Sequence, residues 1–363
     1  MTKINIIQLF AIFLLSMGLT NHVIVIPFLI NAAGRDAWIS VIIGYIFTLL
    51  FSLLLLYVTR KFQSVSIFEW ISSTYSRLLS RTIAFLLFIY LSITGFITLK
   101  ETVLWINETF LFNTPVVVVS LFILTASIYI SYGKINVIAI CAGVVLPLVI
   151  ILGLFVAIGT TPDKNYTLIT PVLVENGWKE VFHGSLFAFG SAIEIILLIF
   201  LQHHVDRKLK FLHILLLITF LFILTVGPLL GSISTFGVEE AEKLRYPAFF
   251  QWRILGIGNY FNHLDFFSIY QWLSGAFIHI SMILYMITLP FDIKKKKQRF
   301  YIQAFICVIY LIVITLPISN EEFFTILTRF YYIGSIFFGV FITVFIAFLI
   351  KTSTNRVSTN EKG

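Results

Sequence analysis

Long, uniformly apolar stretches follow one another along the whole chain, separated by short polar segments. Stretches of about 20 apolar residues can cross a hydrocarbon core about 30 Å thick, in which every backbone amide needs an internal partner. They are too long and too uniformly apolar for alternating barrel strands. The pattern predicts an all-α polytopic membrane protein of about ten transmembrane helices, at residues 5–31, 37–59, 82–106, 115–132, 136–159, 182–202, 211–236, 265–290, 300–317 and 324–350.

The composition agrees with this prediction. Of the 363 residues, 59% are hydrophobic and only 12% are charged, whereas about a quarter of a soluble domain is charged. Residues 1–350 are therefore expected to form a single transmembrane domain, followed by a short polar cytoplasmic tail at 351–363. Cys141 and Cys307 lie in apolar spans and suggest neither a disulfide framework nor a thiolate metal site, and no cofactor is expected. No catalytic triad, zinc-ligand spacing or phosphate-binding loop occurs at convincing spacing, so an enzyme is not expected.

The charge distribution predicts the orientation. The net charge is +8, and most of the 25 basic residues fall on one side of the membrane if the N-terminus is cytoplasmic. Both termini are then cytoplasmic, because ten is an even number of spans. The run "KKKKQR" at 294–299 is interpreted as a topology signal facing anionic lipid, and nucleic acid is not an expected partner.

One apolar stretch, "FAFGSAIEIILLIF" at 187–200, carries Glu194 in its middle. Inserting a carboxylate there costs on the order of 3 kcal/mol or more. Gly190 and Ser191 precede it and form a pair that favours a break in the helix. Two interpretations stay open at this point: a discontinuous helix that lines a cavity, or a packing glycine beside a buried, protonated structural acid.

The first span favours the discontinuous helix. The segment "LLSMGLTNHVIVIP" places a polar cluster around Gly18, Thr20 and Asn21 in a run that would be roughly 40 Å long as unbroken helix. If the ten spans form two halves of five, spans one and six are equivalent. Matching interruptions in two inverted halves point to a ligand site near the midplane, and exposed half-helix N-termini there favour a carboxylate.

Other polar residues offer weaker candidates. Tyr90, Thr94 and Thr98 recur every four residues and share a helix face, which lines a cavity unless the threonines only bond their own helix carbonyls. Ser274 and Gly275 in span eight could line the site or permit close helix packing. The adjacent pair at 203–204 is expected to be solvated or near lipid headgroups rather than to bind metal.

Several segments resemble one known family in order and spacing. They are "AGRDAWIS" after span one, "NTPVVVV" opening span four, "YGKINVIAICAGVVLPLVI" across span five, "ITPVLVENGWKEVFHGS" leading into "FAFGSAIE", and "RYPAFFQWRI". Over some 300 residues the chain resembles the B subunits of bacterial spore germinant receptors, which belong to the amino acid–polyamine–organocation transporter superfamily.

The resemblance implies two inverted five-helix repeats, with helices one and six discontinuous and unwound around the substrate site. It implies assembly with an A and a C subunit in the spore inner membrane, and the sensing of a small germinant, typically an amino acid. A proton-coupled amino acid transporter on the same scaffold is the alternative. The implied ligand-binding residues are Gly18, Thr20, Asn21, Tyr90, Thr94, Phe189, Gly190 and Ser274, with Glu194 as a structural or coupling acid.

Overall fold

The fold is helical throughout the part of the chain that the structure, a computed structural model, describes: residues 3–62, 65–256, 263–291 and 296–360. In these ranges eight helical stretches are long and apolar enough to cross a membrane, and Val116–Tyr132 is a shorter apolar helix. One of the eight, Ile6–Phe62, turns at Gly34, where φ is +49°, and so contains the first two predicted spans. The prediction of an all-α polytopic membrane protein is confirmed.

Each of the ten predicted spans corresponds to a helical segment. In chain order the helices are α1 Ile6–Leu19, α2 Ile26–Ala33, α3 Ala37–Thr59, α4 Ile67–Thr74, α5 Arg77–Thr109, α6 Val116–Tyr132, α7 Ile135–Gly159, α8 Trp178–Ala192, α9 Leu197–Leu201, α10 Phe211–Lys243, α11 Pro247–Ile254, α12 Phe267–Ile287, α13 Lys296–Ile314, α14 Asn320–Ile326 and α15 Tyr332–Asn360. Of the basic run at 294–299, Lys294 and Lys295 lie outside the described residues.

Two helical stretches lie in the centre of the bundle. In its most apolar part, the stretch Trp178–His204 is 94% buried and Phe267–Phe291 is 83% buried, against 22% for Ile135–Asp163. Helix α3 packs along α8, and α1 packs along α12. Spans six and eight therefore form the core, while α7 presents most of its surface to the outside.

Spans one and six are interrupted where the sequence predicts, but neither is unwound. A π-helical turn, Thr20–Ile24, joins α1 to α2, and a 3-10 turn, Ile193–Ile196, joins α8 to α9. In the first, Val25 N–H donates to the Thr20 carbonyl at 2.9 Å. A change of helical type keeps backbone groups paired where water is absent, which extended chain would not do. The arrangement as two inverted repeats stays a prediction.

The segment between α10 and α12 folds back over the bundle. Helix α10 is bent at Gly237, whose φ of +72° lies in the left-handed region that favours glycine. The chain then leads through Arg245 and Tyr246 into α11. This path places Arg245 against Glu101 near the end of α5, and so covers one end of the core.

Candidate functional site

The two interrupted spans meet at Asn21. Its side-chain nitrogen donates to the Met17 carbonyl at 2.9 Å and to the Ser191 carbonyl at 3.3 Å, and its oxygen accepts from the Ser191 hydroxyl at 2.9 Å. Thr225 on α10 contributes a longer contact of 3.5 Å to the same oxygen. Asn21 is 2% exposed. One carboxamide therefore joins the π-helical turn of span one to the last turn of α8.

A small cavity lies beside Asn21. Its volume is about 20 Å³, which is room for about one water molecule. Its wall combines polar and apolar side chains from four helical segments: Asn21, Val41, Tyr45, Thr48, Ala188, Ala192, Ile218, Leu221, Phe222 and Thr225. An amino acid does not fit in this closed arrangement, so entry of one requires the helices to part.

The remaining candidates of spans one and six surround this point without all lining the cavity. A Cβ built on Gly18 would meet only Leu224 on α10, at 3.7 Å, and Thr20 is buried at the start of the π-helical turn. Phe189 packs edge-on against the rings of Phe47 and Phe51 on α3, with centroids 6.1 Å apart. The ring of Phe189 is thus a packing contact between α8 and α3.

A second cluster forms around Glu194, on the face of span six that also contains Gly190. Glu194 Oε2 lies 3.2 Å from His279 Nε2, and Tyr331 donates its hydroxyl to Glu194 Oε1 at 3.3 Å. Gly190 faces Tyr332, whose carbonyl oxygen is 3.0 Å from the position of a Cβ. The side chains of Glu194 and His279 are 2% and 0% exposed. Gly190 and Glu194 therefore face span ten, while Ser191 faces span one.

Tyr90 and Thr94 belong to the Glu194 cluster. The Tyr90 ring stacks on Phe338 at 4.3 Å, and its hydroxyl lies beside Thr94 and Glu194. Within the described ranges, neither the Tyr90 nor the Thr94 hydroxyl makes a well-formed hydrogen bond, although they lie near each other and near the hydroxyls of Ser335 and Tyr331. Such loosely paired buried hydroxyls are rare and mark a place where water or a ligand can be accommodated.

Thr98 and Ser274 differ in their contacts. Thr98 bonds back to the Thr94 carbonyl at 3.1 Å, yet its oxygen also contacts His279 Nδ1 at 2.9 Å. Ser274 is 8% exposed and has no side-chain hydrogen bond to either cluster in the part of the chain that is described. A Cβ built on the adjacent Gly275 would lie 3.1 Å from the Leu15 carbonyl oxygen and from Leu19 Cβ, so this glycine permits close packing of span eight with α1.

Sequence reasoning missed His279 and Tyr331. Both lie in predicted spans, and a histidine at membrane depth meets the same criterion that selected Glu194, since ionisable groups there are rare. It also did not predict the burial of His204, whereas His203 is half-buried. His204 is only 6% exposed and lies 3.1 Å from the Tyr285 hydroxyl through Nε2, because the chain end around Ile4 covers this region by pairing with Val205.

A buried ion pair closes the end of the bundle at the Gly237 bend. Glu101 on α5 is 0% exposed and accepts hydrogen bonds from the Arg245 guanidinium and, at 3.0 Å, from the Tyr246 hydroxyl. The guanidinium carbon also lies over the rings of Phe28 and Phe324, 5.3 and 5.1 Å from their centroids. Burial, reinforced by the Glu101 carboxylate, raises the pKa of Tyr246 well above its usual value, so this hydroxyl remains a donor.

The chain matches known proteins over most of its length. A family model described as "Spore germination protein" matches residues 3–323. The chain is 33% identical to Spore germination protein XB of Bacillus anthracis over 347 residues, which cover 94% of this chain and 97% of that protein. It is 25% identical to Spore germination protein KB of Bacillus subtilis over 296 residues, 78% of this chain and 76% of that protein. With the membrane-spanning fold and the polar junctions described above, these matches show that the chain belongs to the spore germination protein family.

Proposed function

We propose that this protein is the nutrient-sensing membrane subunit of a spore germinant receptor, and that it binds a small germinant, an amino acid, between spans one and six. The observation that carries the proposal is the bonding of Asn21 to Ser191, where both interrupted helices meet. The Asn21 carboxamide offers a donor and an acceptor, and the Ser191 and Thr225 hydroxyls add two more polar groups. Such groups match the carboxylate and the ammonium of a zwitterion.

Because the cavity is small, the proposed binding requires a change of conformation. The cavity of about 20 Å³ holds about one water molecule, so a germinant binds only an arrangement in which α1, α8 and α10 have parted. A ligand that binds one arrangement better shifts the population towards it. We propose that this shift is passed to partner A and C subunits in the spore inner membrane, with both termini of this chain cytoplasmic.

Substitution of Gly18 tests the site. Alanine fits, since its Cβ would contact only Leu224 at 3.7 Å, whereas the larger phenylalanine side chain would fill the space between α1 and α10. Spores with Gly18→Phe are expected to need a higher germinant concentration, and spores with Gly18→Ala are expected to respond as wild type. A normal response from Gly18→Phe spores at normal protein level would exclude the proposed site.

The germinant can be identified with the purified subunit. A ligand that binds the native state raises the melting temperature, by an amount that grows with the logarithm of its concentration. We expect stabilisation by one or a few amino acids from a full panel, and none by the same compounds with Asn21→Leu. Stabilisation that survives in Asn21→Leu would place the binding elsewhere in the protein.

A proton-coupled amino acid transporter is the second candidate, and the buried Glu194–His279 contact is the observation that favours it. Purified protein in liposomes would then take up a radiolabelled amino acid, and Glu194→Gln would abolish the uptake. Absence of counterflow for every amino acid in the panel would leave the sensing role as the better account.

A further inference from the structure

Thr98 contacts the side of the His279 ring that faces away from Glu194. Its oxygen lies 3.1 Å from the Thr94 carbonyl oxygen and 2.9 Å from His279 Nδ1. A threonine hydroxyl has one hydrogen, so it donates either to the carbonyl or to Nδ1. In the first arrangement Nδ1 carries the hydrogen of a neutral ring, and in the second Nε2 carries it.

Either arrangement leaves the pair one proton short if Glu194 is ionised. In the first, His279 Nε2 presents a lone pair to Glu194 Oε2, 3.2 Å away, and the two acceptors repel each other. In the second, Nε2 donates to the carboxylate, and the pair carries one uncompensated negative charge. Both side chains are buried, at 2% and 0% exposure, and one further proton removes the repulsion in the first case and the charge in the second.

We propose that Glu194 and His279 form a site that binds a single proton in the membrane-spanning core. With one proton the pair is neutral overall, either as carboxylic acid and imidazole or as carboxylate and imidazolium. Loss of the proton would leave a bare carboxylate, and a second proton would leave a bare cation. Either is an uncompensated charge in a medium of low dielectric constant.

The groups that face the pair do not change this proton count. Tyr331 donates to Glu194 Oε1 at 3.3 Å, and Tyr90 and Tyr332 lie nearby. Tyrosine hydroxyls are neutral in the physiological range, so they add hydrogen bonds and no charge. The next charged groups, Glu101 and Arg245, form their own pair beyond Tyr332.

The site joins elements that belong to different parts of the bundle. Glu194 lies in the 3-10 turn after α8, His279 on α12 and Thr98 on α5, and Tyr331 ends the π-helical turn Leu327–Tyr331 before α15. A movement that separates Glu194 from His279 leaves each with its own proton affinity. The proton is then exchanged with water, and no other reactant is needed.

Counting protons through the pH dependence of stability tests the proposal. The experiment uses the purified full chain in detergent micelles between pH 5 and pH 8, in wild-type and Glu194→Gln forms. In the variant, the glutamine amide donates to the lone pair of His279 Nε2, so the folded variant holds no shared proton. The unfolded chains bind the same number of protons in this range, because free glutamate titrates near pH 4.3.

The folded wild type thus holds one proton more than the folded variant at every pH in the range. By linkage, the ratio of the wild-type to the variant folding constant must fall about tenfold for each unit that the pH rises. Glu321→Gln is the matched control, because Glu321 is exposed. The ratio of the wild-type folding constant to that of Glu321→Gln is expected to stay constant with pH. Parallel profiles for wild type and Glu194→Gln would overturn the proposal.

Glu194→Leu replaces Glu194→Gln if the glutamine variant does not fold. Leucine removes the carboxyl group, so the folded variant again holds no shared proton, while the other titrating groups are the same in both proteins. The ratio of the wild-type to the variant folding constant is again expected to fall about tenfold for each unit that the pH rises. A constant ratio would show that the folded pair holds no such proton. This measurement needs no germinant, so its failure and that of the proposed sensing role are independent.

Discussion

Replacing Arg245 with methionine would leave the Glu101 carboxylate without its cation. Glu101 is 0% exposed, and in the described part of the chain its side-chain partners are the Arg245 guanidinium and the Tyr246 hydroxyl. Methionine keeps much of the length and apolar volume of the arginine side chain. The substitution therefore removes the charge while disturbing the packing against Phe28 and Phe324 only slightly.

The expected loss of stability is large for a single residue. Removing one partner of a buried ion pair costs about 3–5 kcal/mol, because the other charge stays buried. Loss of the contacts between the guanidinium and the two rings adds about 0.5–1 kcal/mol for each ring. Arg245 is 22% exposed, so the lower end of this range, about 4 kcal/mol in total, is the more realistic figure.

A double substitution separates the buried charge from the lost contacts. In Glu101→Gln with Arg245→Met both charges are absent, and glutamine still accepts a hydrogen bond from Tyr246. We expect the double variant to lose only about 1–2 kcal/mol, since replacing a whole buried pair is often close to neutral. Melting of the purified proteins in one detergent measures the three forms. Equal losses in the single and double variants would refute the argument from an uncompensated charge.

Two further substitutions probe the junction of the interrupted helices. Gly190→Ala would place its Cβ 3.0 Å from the Tyr332 carbonyl oxygen and is expected to lower the free energy of unfolding by about 1–3 kcal/mol through overpacking. Gly143→Ala is the control, because no atom lies within 4 Å of its Cβ, and it should melt at the wild-type temperature. Asn21→Ala removes the hydrogen bonds between spans one and six, while the Ser191 hydroxyl keeps the Ala188 carbonyl as an acceptor at 2.9 Å, and the change should cost about 0.5–1.5 kcal/mol for each lost bond. If Gly190→Ala is as stable as Gly143→Ala, or if Asn21→Ala is as stable as wild type, the contacts described here do not contribute to stability in the way argued.

Much of the fold could be predicted because the bilayer imposes strong constraints. The uniformly apolar runs predicted the positions of the ten spans. The polar residues in span one and the acid in span six predicted the interruptions, which lie at Thr20–Ile24 and Ile193–Ile196. Polar residues at membrane depth are expensive, so each one signals a specific local structure. The type of helical turn could not be predicted, since π and 3-10 turns satisfy the same requirement for paired backbone groups.

The partners of the predicted residues were harder to identify. A uniformly apolar helix gives no periodicity from which to read which face points inwards. For that reason Gly18 and Asn21 were grouped with Tyr90 and Thr94, although Asn21 contacts Ser191 whereas Tyr90 and Thr94 lie beside Glu194. The contact between Glu194 and His279 depends on the rotation of α12, which only the packed bundle fixes.

The same short turn serves both candidate sites. Ser191, which contacts Asn21, precedes the turn Ile193–Ile196 by two residues, and Glu194 lies within it. A 3-10 helix turns about 120° per residue and an α-helix about 100°. Glu194 is the second residue of the turn, so converting the turn to α-helix would rotate Glu194 by about 40° relative to Ser191, enough to take its carboxyl away from His279. If a germinant that parts span one from α8 rewinds this turn, its binding must change the proton count of the pair. Germinant affinity that stays constant with pH in wild type and in Glu194→Gln would show that the two sites act separately.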